Sequence, residues 1–221
     1  MKITLPASKR TVSVGKLLCI GRNYADHAAE MERDVPDEPM VFLKPASALI
    51  RSGGTVRLPP QSQNVHHEVE LVAVIGTEGR RIPREQALDH VVAYAVGLDI
   101  TARDLQDEAK AQQHPWSVAK GFDTFAPLGP LAPASTISDP QDVQLTLDCN
   151  GAVRQQAHTG DMMFSVAELV HYCSQIFTLE PGDLLYTGTP SGVGPIEDGD
   201  RLEARATGCE PLRVSVVRDS S

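Results

Sequence analysis

The sequence lacks the features of membrane, secreted and nucleic-acid-binding proteins. None of its apolar runs approaches the roughly 20 residues that a membrane-spanning helix needs, and residues 1–10 lack the continuous apolar core of a secretion signal. The formal net charge is −9 and no basic cluster is present, which disfavours binding to nucleic acid or anionic lipid. We therefore expect a cytoplasmic protein without a nucleic-acid or membrane partner.

Paired cysteines are missing as well. The four cysteines, Cys19, Cys149, Cys173 and Cys209, show no Cys-x-x-Cys spacing. That absence disfavours zinc ribbons and redox-active pairs. In a cytoplasmic chain we expect them to be buried thiols.

The composition is that of an ordinary globular protein. Hydrophobic residues make up 41% and charged residues 22% of the 221 positions, which is enough for one large domain with a sizeable core. No internal repeat or linker interrupts the chain. We therefore expect a single domain over 1–221.

Strand patterns outnumber helix patterns. Apolar or alternating runs predict strands over 16–20, 40–43, 56–58, 68–75, 91–99, 144–148, 152–156, 184–187, 201–206 and 212–217. Asn150-Gly151 suits a type I′ hairpin turn between two of them. Helices are predicted over 24–31, over 102–113, and from a capping box at Ser165 to about Phe177. Because helices and strands do not alternate strictly, we expect an α+β fold with a large mixed or antiparallel sheet.

Two glutamates, Glu68 and Glu70, stand at the start of a strand that is apolar on both faces as far as Ile75. Alternate residues of a strand face the same way, so both carboxylates lie on one side. Buried carboxylates are costly unless they are paired or bind a metal, and two oxygen donors on one face are half of a divalent-cation site. The alternatives are the solvated face of an antiparallel sheet and a buried ion pair with a lysine or arginine.

Asp99 supplies a third carboxylate. It closes the apolar strand 91–99 just before a predicted helix, where loop residues usually build sites. An all-carboxylate set with Glu68 and Glu70 prefers Mg²⁺, Mn²⁺ or Ca²⁺ over zinc. The alternative role of Asp99 is N-cap of the following helix.

His27 and Glu30 lie three positions apart on the predicted helix 24–31 and share one of its faces. A carboxylate behind an imidazole fixes its tautomer and raises its basicity, as a general base requires. Since neighbouring residues of this helix are also charged, a solvated helix face is the alternative.

Three further side chains can reach the same site. Lys120 is a lone lysine among apolar and small residues, and beside buried carboxylates it would stay charged and polarise a substrate carbonyl. Arg103 and Gln106 lie three positions apart on the helix after Asp99 and can both point back toward it. Surface positions are the alternative for all three, as is a structural ion pair of Lys120 with one of the two glutamates.

The glycine-rich loop 188–194 can cradle an anion with its backbone amides. No Lys-Ser/Thr pair follows it, so it is not a P-loop, and the chain has no Gly-x-Ser-x-Gly elbow or dinucleotide fingerprint. A tight turn is the alternative.

Taken together, these motifs resemble the fumarylacetoacetate hydrolase family, and within it the short acylpyruvate hydrolase branch. The resemblance rests on five segments in the same order, 21–30, 67–75, 99–106, 116–122 and 187–194. It implies the mixed β-roll of that family's C-terminal domain, with residues 1–15 as a lead-in and 16–217 as the core. It also implies a homodimer.

The resemblance gives each candidate residue a role. The metal carboxylates are Glu68, Glu70 and Asp99, with one Mg²⁺ or Mn²⁺ per chain. The catalytic residues are His27, Glu30 and Lys120. The substrate-binding positions are Arg22, Tyr24, Arg103, Gln106 and Thr189.

The hypothesis that follows is hydrolysis of the carbon–carbon bond of 2,4-dioxo acids to pyruvate and a carboxylic acid, with acylpyruvates as substrates and fumarylpyruvate as one candidate among them. His27, oriented by Glu30, would deprotonate the attacking water, and the metal and Lys120 would stabilise the departing enolate. Decarboxylation of oxaloacetate and keto–enol tautomerisation use the same enolate and are the alternatives. A scaffold that only binds small dicarboxylates is a third.

Overall fold

The computed structural model describes residues 1–6, 8–25 and 37–219, and strands dominate this part of the chain. The strands are β1 (Lys2–Thr4), β2 (Thr11–Ser13), β3 (Leu17–Gly21), β4 (Met40–Lys44), β5 (Leu49–Arg51), β6 (Thr55–Leu58), β7 (Val65–His67), β8 (Val69–Ile75), β9 (Val91–Leu98), β10 (Thr101–Ala102), β11 (Ala126–Leu128), β12 (Ala132–Pro133), β13 (Gln144–Cys149), β14 (Ala152–His158), β15 (Leu184–Tyr186), β16 (Gly194–Pro195), β17 (Arg201–Ala206) and β18 (Leu212–Arg218).

Helices are fewer in the same ranges. The α-helices are α1 (Arg103–Ala111), α2 (Ser117–Lys120) and α3 (Val166–Ile176). Short 3-10 helices cover Ala46–Ala48, Arg84–His90, Ala134–Thr136 and Thr159–Asp161. Among the helices of the described ranges, none has the length and apolar content that a membrane crossing requires.

The largest sheet has eight strands and curls into a roll. Its order is β4-β3-β15-β8-β9-β11-β5, with β12 also paired to β9, and it mixes parallel and antiparallel neighbours. The edge strands β4 and β5 are joined by residues 45–48 alone, so the two edges must lie close together. Tyr186 of β15 lies inside the roll, where its hydroxyl shares one proton between the carbonyl oxygens of Ala126 and Pro127 in β11, at 3.5 and 3.4 Å.

Alternation along the strands separates two hydrophobic cores. In β8, which is buried throughout, Leu71, Ala73 and Ile75 face an outer core that the roll shares with α3 and with a five-stranded sheet, β14-β13-β17-β18-β6. Val72 and Val74 face the inside of the roll. Glu70 belongs to this inner face by the same alternation, so its carboxylate lies where water has little access.

The α+β fold class predicted from the sequence is confirmed by these mixed sheets and few helices. Two predictions from short sequence motifs, a turn and a helix cap, are also confirmed. Asn150 and Gly151 both have positive φ, 55° and 81°, as a type I′ turn requires. Ser165 and Glu168 form the reciprocal capping box at the start of α3.

Several predictions need correction. The strand predicted over 68–75 starts at Val69, because Glu68 lies in a break between β7 and β8. The helix predicted over 102–113 is shorter, and Ala102 is its N-cap residue without a side-chain cap, so an N-cap role for Asp99 is wrong. Cys209 is only partly buried, whereas the other three thiols are buried, and all four are free. Most of the helix predicted over 24–31 lies outside the described residues.

Candidate metal centre and active-site cleft

Three carboxylates meet at one end of the roll, where β8 begins and β9 ends. Glu70 in β8 pairs with Gly97 of β9, and the Asp99 amide donates to the Glu68 carbonyl oxygen at 2.8 Å. One oxygen from each of Glu68, Glu70 and Asp99 lies within 4.8 Å of the others. Their exposed fractions are only 5%, 1% and 1%, so a solvated face for the two glutamates is wrong.

Two cationic side chains touch these carboxylates from the cleft side. Lys120, buried at the end of α2, places Nζ 2.9 Å from Glu68 Oε2 and 2.7 Å from Asp99 Oδ2. Burial acts to lower the pKa of Lys120, but the charges of Asp99 and Glu68 outweigh it and the pKa stands above its usual value. Arg103 Nη2 lies 2.5 Å from Glu68 Oε1. Lys120 is therefore a buried, protonated lysine, and a surface position for it is wrong.

A second buried lysine, Lys44, approaches from β4 and is not identified by the sequence patterns. Its Nζ donates to the carbonyl oxygens of Ile100 and Phe125 at 2.8 and 2.6 Å. The same Nζ lies 2.5 Å from Asp99 Oδ1, so the ammonium group, which has three protons, pairs with this carboxylate as well as with the two carbonyls. Burial lowers the pKa of Lys44, and the charge of Asp99 opposes that shift.

Glu70 is held by the glycine-rich loop. The Gly188 amide donates to Glu70 Oε2 at 2.7 Å. Gly188 has a φ of +98°, and a Cβ there would lie 2.6 Å from Asn23 Cβ, so only glycine lets the loop come this close. Burial and the nearby charges of Asp99 and Glu68 raise the pKa of Glu70 well above its usual value.

The donor set fits a hard divalent cation. The three groups offer oxygen ligands alone, which Mg²⁺ and Mn²⁺ prefer. Burial and the repulsion from Asp99 and Glu68 raise the pKa of Glu70, and a positive ion among the three carboxylates would relieve that repulsion. The formal charges of the three acids and of Lys44, Lys120 and Arg103 cancel, so such an ion would leave the site positive and suited to an anionic substrate.

A cleft opens beside these groups and holds most of the predicted substrate-binding residues. Its lining consists of Ile20, Gly21, Arg22, Met40, Phe42, Glu68, Arg103, Gln106, Lys110, Trp116, Lys120 and Thr189. Four of these side chains are basic and one is acidic, which also favours an anion. Arg103 Nη1 donates to the buried Gln106 Oε1 at 2.6 Å. Exposed positions for Arg103 and Gln106 are therefore wrong.

Of the remaining predicted residues, Tyr24 is described and lies outside this cleft. Tyr24 lines a neighbouring cavity with Asp161 and Ser191, and its buried hydroxyl has no hydrogen-bond partner among the described residues. Burial and the charges of Glu70 and Asp161 raise the pKa of Tyr24. His27 and Glu30 fall outside the described residues.

Asn23 anchors the backbone that leads toward those two residues, and sequence reasoning misses it. Its Nδ2 donates to the carbonyl oxygens of Thr187 and Phe164 at 2.8 and 2.9 Å, and its Oδ1 accepts from the Phe164 amide at 2.8 Å. These contacts join the segment after β3 to residue 187, which precedes the glycine-rich loop, and to residue 164, which precedes α3. The one signal that the sequence offers for Asn23 is its place, as a polar residue just after an apolar strand.

Comparison with known proteins gives consistent matches over nearly the whole chain. A family model described as fumarylacetoacetate (FAA) hydrolase C-terminal matches residues 16–217. The mouse protein named oxaloacetate tautomerase FAHD1, mitochondrial, is 44% identical over 218 residues, which cover 99% of each chain. The Dictyostelium discoideum protein named oxaloacetate decarboxylase, mitochondrial, is 45% identical over 88% of this chain and 90% of its own.

A solved structure is similar in three dimensions. Fumarylpyruvate hydrolase from Pseudomonas aeruginosa, in complex with Mn²⁺ and pyruvate, superimposes with a TM-score of 0.93 at 44% identity. The superposition covers 99% of this chain and 96% of that one. The sequence match and the fold match therefore agree over the same residues.

Proposed function

The chain belongs to the fumarylacetoacetate hydrolase family, and from that premise we propose that it is a metal-dependent hydrolase of 2,4-dioxo acids. The products would be pyruvate and a carboxylic acid, and fumarylpyruvate is one candidate substrate. The observation that carries the proposal is Lys120, a buried and protonated lysine that bridges Glu68 and Asp99 at the inner end of a basic cleft.

Each group has a task in this reaction. When bound, Mg²⁺ or Mn²⁺ would polarise the carboxylate and 2-keto oxygens of the substrate. The Lys120 ammonium stabilises the negative charge that develops on the pyruvate enolate as the carbon–carbon bond breaks. Arg103 and Thr189 bind carboxylate oxygens of the substrate from the cleft wall. His27, oriented by Glu30, takes a proton from the water that attacks the distal carbonyl carbon, and this proton then passes to the enolate carbon to give pyruvate.

The cleft wall also excludes water from the developing charge. Phe42 and Trp116 pack edge to face with ring centroids 5.7 Å apart, and Lys120 Nζ lies 4.9 Å from the centroid of the Phe42 ring. An ammonium group beside aromatic carbon is poorly hydrated, so its attraction for an enolate oxygen is stronger than in bulk water.

Oxaloacetate tautomerisation or decarboxylation is a second candidate. The mouse and Dictyostelium relatives carry those names. The same lysine and carboxylates serve an enolate whether a carbon–carbon bond or a carbon–hydrogen bond is broken to form it. We therefore propose both activities as alternatives for one site.

A substrate panel separates the candidates. Acetylpyruvate cleavage, fumarylpyruvate cleavage, oxaloacetate decarboxylation and oxaloacetate keto–enol exchange are measured with Mg²⁺, with Mn²⁺ and with a chelator. Cleavage that requires the metal supports the hydrolase, and exchange or decarboxylation that outpaces it supports the second candidate. Absence of turnover for every substrate would contradict both.

The base is tested by His27→Ala. Hydrolysis should fall by about 10²–10⁴-fold, the usual cost of losing a general base, while Mn²⁺ affinity is retained. His158, whose Nε2 lies 3.0 Å from Asp142 Oδ1 outside the cleft, is the matched control. Equal turnover of His27→Ala and His158→Ala would refute the role of His27.

A further inference from the structure

A buried glutamine, Gln155, joins the metal-site strand to the loop that carries Thr189. It lies on β14 with 1% of its surface exposed, while its neighbours Arg154 and Gln156 face solvent. Buried side-chain amides are costly unless all their hydrogen bonds are made. Gln155 makes four, and they run to both sides of the site.

The direction of these hydrogen bonds is fixed by the backbone. Gln155 Oε1 accepts from the Val69 amide and from His67 Nδ1, both at 3.0 Å. Gln155 Nε2 donates to the Pro190 carbonyl oxygen at 3.0 Å and to Thr189 Oγ1 at 2.9 Å. An amide N–H can only donate and a carbonyl can only accept, so the carboxamide has one possible orientation. His67 is then protonated on Nδ1.

This orientation decides what the Thr189 hydroxyl can do. Because Oγ1 accepts from Gln155, its own proton remains available for donation. The hydrogen bond from Gln155 is the one that Oγ1 makes within the described residues. Thr189 lines the cleft together with Glu68, Arg103 and Lys120. The proton can therefore be given to a molecule bound there.

We propose that Gln155 is a positioning residue that holds the Thr189 hydroxyl as a hydrogen-bond donor to a carboxylate oxygen of the bound keto acid. The inference rests on the proposed function, since it takes an anionic substrate in this cleft as given. Gln155 is also bonded to the Val69 amide, which lies between Glu68 and Glu70. This bond keeps the Thr189 hydroxyl at a set distance from the carboxylates of Glu68 and Glu70. Thr189 touches the substrate in this proposal, and Gln155 acts through it.

The test is Gln155→Glu, which keeps the shape and the acceptor oxygen but loses the donor. The carboxylate introduced by this substitution would accept the Thr189 proton and turn it away from the cleft. Calorimetry measures binding of oxalate, a small dianion, to the Mn²⁺-loaded protein. Oxalate affinity should fall by about tenfold or more, the usual loss of a hydrogen bond to a charged group, while Mn²⁺ affinity changes little.

Variants of Thr189 give a second route to the same conclusion. Thr189→Val should lose as much oxalate affinity as Gln155→Glu, Thr189→Ser should keep it, and the double variant Gln155→Glu/Thr189→Val should lose no more than either single change. The proposal is overturned if the losses of oxalate affinity in the two single variants add in the double variant. It is also overturned if Thr189→Val and Thr189→Ser bind oxalate equally well. If Gln155→Glu does not fold, Gln155→Met takes its place: it also loses the amide donor, so its oxalate affinity should fall as far as that of Thr189→Val, and native affinity would overturn the proposal.

Gln141 provides the matched control. It also bridges two backbone groups, donating to the Thr159 carbonyl oxygen at 2.8 Å and accepting from the Val166 amide at 2.9 Å, away from the cleft. Gln141→Glu should lower stability without changing oxalate affinity, and an equal affinity loss there overturns the proposal. Oxalate binding needs no turnover, so a protein that acts on none of the keto acids would refute the proposed function while this test still stands.

Discussion

Asp99 lies between two buried lysines that contact it differently. Lys120 donates a hydrogen bond to Oδ2, whereas Lys44 lies 2.5 Å from Oδ1 and also donates to the carbonyl oxygens of Ile100 and Phe125. Each carboxylate oxygen of Asp99 therefore has its own ammonium partner. Since a carboxylate oxygen has two lone pairs, Oδ1 can bind a cation and still face the Lys44 ammonium.

Removal of Lys44 should be costly. We expect Lys44→Met to lower the free energy of unfolding by about 3 kcal/mol, because Asp99 and two carbonyls lose a buried partner. The melting temperature should fall by about 6–12 °C, and saturating Mn²⁺ should narrow the difference. The control is Arg57→Met, which removes a surface pair with Asp219 and should cost less than about 1 kcal/mol. Equal losses in thermal denaturation would contradict this role of Lys44.

Glu70 should make metal binding depend on pH. Its raised pKa means that the folded apoprotein keeps a proton that the unfolded chain releases above about 4.5, so the stability of the apoprotein falls as pH rises through the folded pKa. A cation must displace this proton. Mn²⁺ affinity should therefore increase with pH, by up to about tenfold per unit.

Calorimetry in two buffers of different ionisation enthalpy measures this proton release. About one proton per Mn²⁺ is expected at pH values below the raised pKa. A Mn²⁺ affinity that is the same from pH 5 to 8 would show that Glu70 is already ionised in the apoprotein.

At the scale of elements, local signals were predictable and long-range ones were not. The Asn150-Gly151 turn and the Ser165 capping box depend on residues close in sequence, so the pattern is sufficient. The break at Glu68 arises because β7 leaves the roll to pair with β10 and β16, far along the chain. No local pattern contains that information.

The same contrast applies to the site. The acidic trio follows from carboxylates placed beside apolar strands, which a sequence shows directly. Lys44 and Gln155 reach the site only because β4 closes the roll and β14 packs near the glycine-rich loop. Isolated polar residues of this kind acquire meaning from tertiary contacts alone.

The capping box gives a prediction at this scale. Ser165→Ala removes the cap on the Glu168 amide and the hydroxyl bond to its carboxylate. We expect a loss of about 1 kcal/mol and a melting temperature lower by about 2–4 °C, with unchanged Mn²⁺ affinity because α3 lies outside the cleft. An unchanged melting temperature in calorimetry would contradict the energetic role of the cap.

At the scale of the whole molecule, the outer core joins the roll, the five-stranded sheet and α3. We propose on this basis that residues 1–221 form one domain. The homodimer and the cytoplasmic location stay predictions, which sedimentation analysis and cell fractionation test directly. The mouse and Dictyostelium relatives are named mitochondrial.

A domain that shares one core should respond to the metal as a unit. Mn²⁺ at about 100 times its Kd should add about 2.7 kcal/mol to the free energy of unfolding. Calorimetry should show one transition that moves to higher temperature as a whole. Two transitions, one of which stays at the same temperature when Mn²⁺ is added, would contradict the single domain.

The central claim is that Glu68, Glu70 and Asp99 hold one divalent cation. Titration calorimetry of Mn²⁺ into the metal-free protein tests it most directly, with Glu70→Ala as the variant and the exposed Glu85→Ala as the control. The account predicts one ion per chain for the native protein and for Glu85→Ala, and no measurable binding for Glu70→Ala. Native affinity in Glu70→Ala would contradict it.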